Sequence, residues 1–181
     1  ISGPTGSGKE LLARKIHKNS LRNKKPFIVI NGALLMGDNY EKELFGSENS
    51  DGTIIYGFLE KAKGGTLLID EVSEIPLDTQ AKILRILIDQ KFKRSNGKDD
   101  IYVNVRIISS TSKDLKNEVL MGNFREDLFH RLNVVPIEIP SLYTRSDDIP
   151  LLIDYFQKKL SEINGIPKIE INVDDDLLYS Y

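Results

Sequence analysis

The 181-residue chain contains 40% hydrophobic and 29% charged residues, a composition typical of a folded domain and not of a disordered segment. Its 25 basic and 27 acidic residues give a formal net charge of −2, so no basic field favours nonspecific nucleic-acid binding. The absence of cysteine excludes disulfides and thiolate metal sites. No apolar run approaches the roughly 20 residues of a membrane span, so we expect no membrane partner and a cytoplasmic location.

The chain opens on a glycine-rich loop that is typical of phosphate binding. Glycines let successive backbone N–H groups turn towards a phosphate, and a lysine adds a point charge. Apolar residues at helical spacing follow at once, as the motif requires. The alternative interpretation is a flexible glycine turn. The predicted nucleotide-binding residues are Gly3, Pro4, Thr5, Gly6, Ser7, Gly8, Lys9 and Glu10.

A short buried strand is predicted over residues 27–30 and ends at Asn31. A helix around residues 41–45 and a polar loop lead to an apolar strand over residues 66–70, which ends in Asp70 and Glu71. Hydrolysis needs one carboxylate near the metal and one near the attacking water. Because Glu10 stands where most P-loop enzymes carry Ser or Thr, we expect Mg²⁺ to be held by Asp70 through water. The two motifs together predict ATP as the ligand.

Strands and helices continue to alternate along the rest of the chain. A strand is predicted over residues 103–108, a helical stretch reaches residue 131, and a strand follows over residues 134–139. The alternation predicts an α/β fold with a parallel sheet and a ligand at the carboxyl ends of the strands. Two further helices are predicted, over residues 79–89 and 149–160, with apolar faces of Ile83, Leu84, Leu87 and Ile88 and of Leu152, Tyr155, Phe156 and Leu160.

Several segments together resemble the AAA+ ATPase domain of bacterial enhancer-binding proteins, the activators of the alternative sigma factor sigma-54. They are residues 3–10, 43–46, 64–71, 124–136 and 148–152. The resemblance implies an AAA+ P-loop three-layer sandwich over residues 1–140, with a truncated first strand. It implies a linker and the start of a truncated helical lid over residues 141–181. We expect the receiver and helix-turn-helix domains of a response regulator to lie outside this segment.

The resemblance also assigns roles around the two carboxylates. Asp70 matches the residue that organises Mg²⁺, and Glu71 the residue that polarises the attacking water. Asn31 matches a switch residue that holds the glutamate back until a partner engages, although a turn-capping asparagine remains an equal alternative. Ser112 occupies a nucleotide-sensing position where the family usually carries asparagine.

Arg125 and Arg131 match arginines that reach the γ-phosphate bound by the neighbouring subunit, where a guanidinium neutralises transition-state charge. The alternative is a local salt bridge with Glu126 or Asp127. Arginines that act in trans imply self-association, as a dimer or as a hexamer-like ring.

One departure from the family concerns residues 47–56. The family usually carries a Gly-Ala-Phe-Thr-Gly-Ala segment there that touches the sigma factor, and this chain lacks it, which argues against sigma-54 contact.

Two functions stay open. The first is an Mg²⁺-dependent ATPase domain of a two-component regulator, with a sensor kinase reached through the receiver and DNA through the helix-turn-helix. The second is an ATP-binding oligomerisation module with little turnover. A P-loop kinase is disfavoured, because Asp70 next to Glu71 suits water as the nucleophile.

Overall fold

The computed structural model describes residues 1–33 and 39–165. Its contacts divide the chain into two units, residues 1–139 and 140–181. The helices of the described part are α1 (Lys9–Lys18), α2 (Asn39–Phe45), α3 (Phe58–Lys61), α4 (Leu77–Asp89), α5 (Leu115–Leu120), α6 (Glu126–Leu132) and α7 (Asp148–Asn164). The strands are β1 (Phe27–Asn31), β2 (Gly46–Glu48), β3 (Ile54–Tyr56), β4 (Thr66–Asp70), β5 (Lys91–Phe92), β6 (Ile101–Tyr102) and β7 (Arg106–Ser109). Within these ranges, no helix is long and apolar enough to cross a membrane.

The first unit is organised by a parallel sheet with the strand order β1-β4-β7. Asn31 pairs with Asp70 on one side of β4, and Ile69 pairs with Ser109 on the other. Parallel neighbours end at the same edge of a sheet, so the last residues of all three strands lie side by side at that edge. Ser2 adds isolated parallel bridges to Thr111 and Glu138 at this edge. The structure therefore has the mixed α/β fold with a parallel sheet that the sequence predicts.

The central strand β4 is buried on both faces, as expected for a strand in a covered parallel sheet. Leu67 and Ile69 join a core that includes side chains from α2, α3, α4 and α6. Leu68, which alternates with them, is equally inaccessible to solvent. On α1, the buried His17 ring approaches the Thr66 hydroxyl at 2.9 Å between Nδ1 and Oγ1 and so ties this helix to the start of β4.

Helix α4 begins two residues earlier than predicted, directly after Pro76. Proline is tolerated at this position because the N–H that it lacks would have no partner at the start of a helix. Ile83 is buried as predicted, but Ile88 is 60% exposed and does not belong to the apolar face. Ile86 is buried in its place. The buried face also includes Gln80, a polar residue whose amide is satisfied by three backbone partners.

The prediction of a strand over residues 134–139 is wrong. Only Glu138 forms a bridge there, with Ser2. The Ser2 N–H donates to the Ile137 carbonyl at 2.9 Å, and the Ile139 N–H donates to the Ser2 carbonyl at 2.8 Å. Among the described residues, Ser2 alone pairs with this segment, and one paired residue does not form a β-ladder.

The segment without the family's contact motif forms an antiparallel hairpin from β2 and β3. Arg94 anchors β2, because its side chain, 9% exposed, donates to Glu48 at 2.8 Å and to Glu60 of α3 at 2.7 Å. Burying a guanidinium is tolerated when carboxylates surround it. The adjoining strand β3 is exposed over its whole length.

The second unit is described over residues 140–165 and contains a short 3₁₀ helix (Leu142–Arg145) and α7. Three residues of the predicted apolar face, Tyr155, Phe156 and Leu160, are each at least 50% exposed. The prediction that they pack inward is not met within these residues, since the described part of this unit offers only the 3₁₀ helix to cover α7. The rest of the predicted lid segment, residues 166–181, lies outside the described residues.

We expect Leu67→Ala to lower the free energy of unfolding by about 2–5 kcal/mol, because the side chain is fully buried on the central strand. Urea unfolding followed by circular dichroism measures this. The matched control is Leu120→Ala, since Leu120 is 85% exposed and its truncation should change stability by less than about 0.5 kcal/mol. Equal losses in the two variants would contradict the placement of the core.

Candidate functional site

The glycine-rich loop has the backbone geometry of a phosphate cradle. Gly6 and Gly8 have φ values of 80° and 95°, a left-handed region that side-chain-bearing residues rarely adopt. A Cβ atom built at either glycine would meet no atom within 4 Å, so both border open space. Gly8 also precedes the ten-residue helix α1, whose unpaired N-terminal N–H groups favour an anion. The loop and the helix start therefore fit the phosphates of a nucleotide.

Lys9 is buried at the centre of this loop, with 6% of its surface exposed. Its ammonium donates to the carbonyl oxygens of Gly3 at 3.0 Å and Pro4 at 3.2 Å. The same nitrogen lies 3.3 Å from Oε1 of Glu71, which forms the salt bridge of this site. Lys9 is thus held between the loop backbone and the acidic end of the sheet.

Glu71 follows β4 in a left-handed backbone conformation, with φ 50° and ψ 55°. Such a conformation costs a non-glycine residue on the order of 1–3 kcal/mol. The N–H and the hydroxyl of Ser112 both donate to Oε2 of Glu71 at 2.9 Å. Burial raises the pKa of Glu71, but the two Ser112 donors and the Lys9 ammonium outweigh it and hold the pKa below its usual value. The carboxylate is therefore kept ionised.

Asp70 ends β4 beside Glu71, and its Oδ1 accepts a hydrogen bond from the Ser110 hydroxyl. Among residues 1–33 and 39–165, no group of three or more His, Cys, Asp or Glu side chains could hold a metal. A single carboxylate still fits Mg²⁺, which usually keeps several waters and binds one or two protein carboxylates together with substrate phosphates. Asp70 is the residue that would hold the ion, and the Ser110 hydroxyl would orient the Asp70 carboxylate.

Asn31 lies opposite Asp70 in the sheet register. Its side-chain oxygen accepts the Ala33 N–H at 2.8 Å, the local geometry of a turn-capping asparagine. The alternative interpretation of Asn31 is thus the one that matches this contact, and the switch role stays a prediction. Glu10 points to the outside of α1, where Arg14 binds it at 2.6 Å.

Arg125 and Arg131 lie at opposite ends of α6. Arg125 precedes the first turn and donates to Asp127 at 2.7 Å and 3.0 Å, which is the local salt bridge considered as the alternative. Arg131 lies in the last turn and donates to the Leu87 carbonyl at 3.1 Å. Both side chains are exposed. A role in trans stays a prediction for both.

Two residues that shape this site, Ser110 and Gln80, were not predicted from the sequence. Ser110 is fully buried beside Asp70, and the only available signal was its position directly after the β7 strand. Gln80 accepts the Arg125 N–H at 2.9 Å and donates to the carbonyls of Ile75 and Asn123. A polar residue on a predicted apolar helix face was the signal for it.

Comparison with known proteins gives the same picture. The sequence profile of the Sigma-54 interaction domain matches residues 1–138. The nitrogen assimilation regulatory protein NtrX of Azorhizobium caulinodans is 47% identical over 175 residues, which cover 96% of this chain and 38% of that protein. The regulatory protein AtoC of Escherichia coli K12 is 48% identical over 176 residues, which cover 95% of this chain and 38% of AtoC. The chain thus spans less than half the length of these relatives.

The crystal structure of NtrX from Brucella abortus in complex with ATP superposes with a TM-score of 0.89 at 47% identity. The match covers 98% of this chain and 40% of that one. The parallel sheet, the P-loop and the acidic strand end thus belong to an AAA+ fold. With a matching profile over most of its length and relatives near half identical across almost all of it, the chain belongs to the Sigma-54 interaction domain family.

Proposed function

We propose that the chain is the ATP-binding and ATP-hydrolysing central domain of a two-component response regulator similar to NtrX. The observation that carries the proposal is the 3.3 Å approach of the buried Lys9 ammonium to the Glu71 carboxylate at the mouth of the P-loop. This pair puts a phosphate-binding cation and a water-activating base next to each other. The relative from Brucella abortus, solved in complex with ATP, supports the choice of nucleotide.

Each group of the site has a task in this reaction. The backbone N–H groups around Gly6 and Gly8 receive the phosphates, and Lys9 exchanges its carbonyl partners for phosphate oxygens. Asp70 would hold Mg²⁺ through water, and the ion would supply positive charge that offsets the charge of the phosphates. Glu71 accepts a hydrogen bond from the attacking water and takes up its proton as the bond from the water oxygen to the γ-phosphorus forms. The bond between that phosphorus and the bridging oxygen breaks at the same time, and ADP leaves with the bridging oxygen. Glu71 suits this task because the site keeps it ionised.

Arg125 and Arg131 are proposed to complete the site of a neighbouring subunit in a dimer or a hexamer-like ring. Their exposure leaves both guanidinium groups accessible, and their present partners are surface groups. Exchanging an exposed salt bridge for a phosphate costs little, because such pairs contribute at most about 1 kcal/mol. An AAA+ domain of this kind would then be fully active only when assembled.

In this proposal, the longer protein lies in the cytoplasm and receives its signal from the sensor kinase NtrY through a receiver domain. It binds DNA through a helix-turn-helix domain. Sigma-54 contact is not part of the proposal, because residues 47–56 lack the Gly-Ala-Phe-Thr-Gly-Ala segment that the family usually carries. Regulation would pass through assembly and DNA binding instead.

The hairpin also favours a second candidate function, an ATP-binding oligomerisation module with little or no turnover. In such a module nucleotide would set the geometry of assembly, and no contact segment would be needed to transmit the energy of hydrolysis. The two candidates make the same prediction for ATP binding and opposite predictions for turnover.

Lys9→Ala should weaken ATP binding by about 10- to 100-fold, because it removes a charged partner of the phosphates. Equilibrium titration with a fluorescent ATP analogue measures the Kd. The control is Lys18→Ala, an exposed lysine in the last turn of the same helix, which should bind like the wild type. An unchanged Kd in Lys9→Ala would contradict the P-loop assignment.

Glu71→Gln should keep the wild-type Kd for ATP and lower kcat by about 10²- to 10⁴-fold, because the amide cannot take the proton of water. Steady-state phosphate release by the full-length protein, measured over a range of protein concentrations, tests this. A wild-type protein that binds ATP but releases phosphate no faster than Glu71→Gln would favour the oligomerisation module.

Arg131→Ala should lower turnover, and mixing it with Glu71→Gln protein should restore part of it. In a mixed assembly, an Arg131→Ala subunit keeps its own Glu71 and receives an arginine from its neighbour. The readout is phosphate release as a function of the mixing ratio at constant total protein. The same mixture made with Arg125→Ala tells which arginine acts in trans. Turnover that never exceeds the sum of the two separate variants would exclude a shared site.

A further inference from the structure

The charge of the chain is unevenly distributed, although its formal total is only −2. Between Glu10 and Asp38 the sequence contains six Lys and Arg residues and no Asp or Glu. All six lie over residues 14–25, from the second half of α1 to the loop before β1. The total charge therefore conceals a segment that is strongly positive.

The fold places this segment at the edge of the sheet where the strands begin. The register aligns Phe27, Thr66 and Arg106, the first residues of the three parallel strands. The His17 ring contacts the Thr66 hydroxyl, so α1 also ends at this edge. Asp70 is the last residue of β4. The nucleotide site thus lies at the opposite edge of the sheet from the basic segment.

Arg22 holds the loop before β1 against the neighbouring segments. Its guanidinium donates to the carbonyl oxygens of Gly65 and Asn104, each at 3.0 Å. The first N–H of β4 donates to the Pro26 carbonyl at 2.9 Å, which joins the same loop to the start of β4. The segment before β4 therefore lies beside the loop, and its exposed Lys63 adds a further cation to this edge.

Four exposed lysines form a surface that we call the basic face: Lys18, Lys24, Lys25 and Lys63. Within residues 1–33 and 39–165, none of their ammonium groups has a hydrogen-bond or salt-bridge partner. The acidic residue closest in sequence to the face is Glu60, and Arg94 binds both of its carboxylate oxygens. The described part of the chain therefore leaves the charge of the basic face without a counter-charge.

The composition of this edge fits a phosphate backbone better than a protein surface. Protein interfaces are depleted in lysine and enriched in aromatic residues and arginine. Leu21 is the one large apolar side chain that the loop over residues 19–26 exposes, and a single such residue makes no apolar patch. Duplex DNA carries one negative charge for about every 1.7 Å of its axis. Lysine and asparagine side chains contact its phosphates, and Asn19 and Asn23 lie exposed in the same loop.

From the unpaired charge at this edge of the sheet, we propose that the basic face contacts the phosphate backbone of duplex DNA, independently of base sequence, when the longer protein is bound to DNA. The inference rests on the DNA binding in the proposed function and adds a contact outside the helix-turn-helix domain. Such contacts are driven by the release of counterions from DNA, so they weaken as the salt concentration rises.

The test is fluorescence anisotropy of the full-length protein with a labelled duplex over a range of NaCl concentrations. The basic-face variant combines four substitutions: Lys18→Gln, Lys24→Gln, Lys25→Gln and Lys63→Gln. Each lysine that binds a phosphate contributes about 0.9 to the slope of log K against log salt, so we expect the slope to become shallower by about 2–4. Binding to duplexes of different sequence should weaken by the same factor, because all of them carry the same phosphates.

The matched control replaces four exposed lysines of other segments by Gln: Lys42, Lys93, Lys98 and Lys116. It has the same net charge as the basic-face variant and should keep nearly the wild-type slope. A second variant with Arg at the four positions of the basic face should also keep the slope, because its charge is unchanged. Thermal unfolding and ATP hydrolysis of all three variants should match those of the wild type, since the substitutions are exposed and lie outside the nucleotide site.

An unchanged slope and Kd in the basic-face variant would overturn the inference and would assign the face to an acidic protein surface. Equal changes in the basic-face variant and the control would also overturn it, because net charge alone would explain them. Failure of the proposed function is distinguishable from these results. A wild-type protein that does not bind DNA would overturn the inference together with the proposed DNA binding.

Discussion

Strand β4 pairs in parallel with a neighbour on each side, and the rest of the site depends on this pairing. The register brings Asn31, Asp70 and Ser109 to one edge of the sheet. The segment after Ser109 supplies the hydroxyl groups at Asp70 and Glu71. Three stretches that are distant in sequence thereby contribute to one small volume, and the strands fix their positions before any side chain is considered.

The Lys9–Glu71 pair shows how the site remains stable without a ligand. A buried ammonium without partners would be strongly disfavoured, and here two carbonyl oxygens and one carboxylate offset the loss of hydration. In the proposed function these protein contacts stand in for phosphate oxygens. Binding then becomes an exchange of partners within a site whose charged groups are already in place, so little rearrangement is required.

The sequence predicts the parts of this arrangement that depend on local pattern. The P-loop, the buried strand before Asp70 and the alternation of helices and strands follow from glycine spacing and apolar periodicity. Contacts across the fold are different. Nothing local to Gln80 reveals that its amide meets Ile75, Asn123 and Arg125, because the partners lie up to 45 residues away.

The prediction of a strand over residues 134–139 was wrong for a related reason. A ladder requires a partner of matching length, and periodicity within one segment carries no information about its partner. Ile88 shows the limit within a helix. The four apolar residues span an arc of about 140° around α4, and the pattern alone does not show that the buried part of the surface includes Ile86 and excludes Ile88. The predicted roles of Arg125 and Arg131 depend on contacts with a second subunit, and the sequence of one chain does not reveal such contacts.

The buried Gln80 amide has a consequence for communication between subunits. It clamps the turn that follows Glu71, through the Ile75 carbonyl at 2.7 Å, to the backbone N–H of Arg125 at 2.9 Å. The turn after Glu71 and the start of α6 therefore share one buried side chain as a partner. If Arg125 serves the next subunit as proposed, Gln80 joins the catalytic end of β4 to the residue that reaches that subunit.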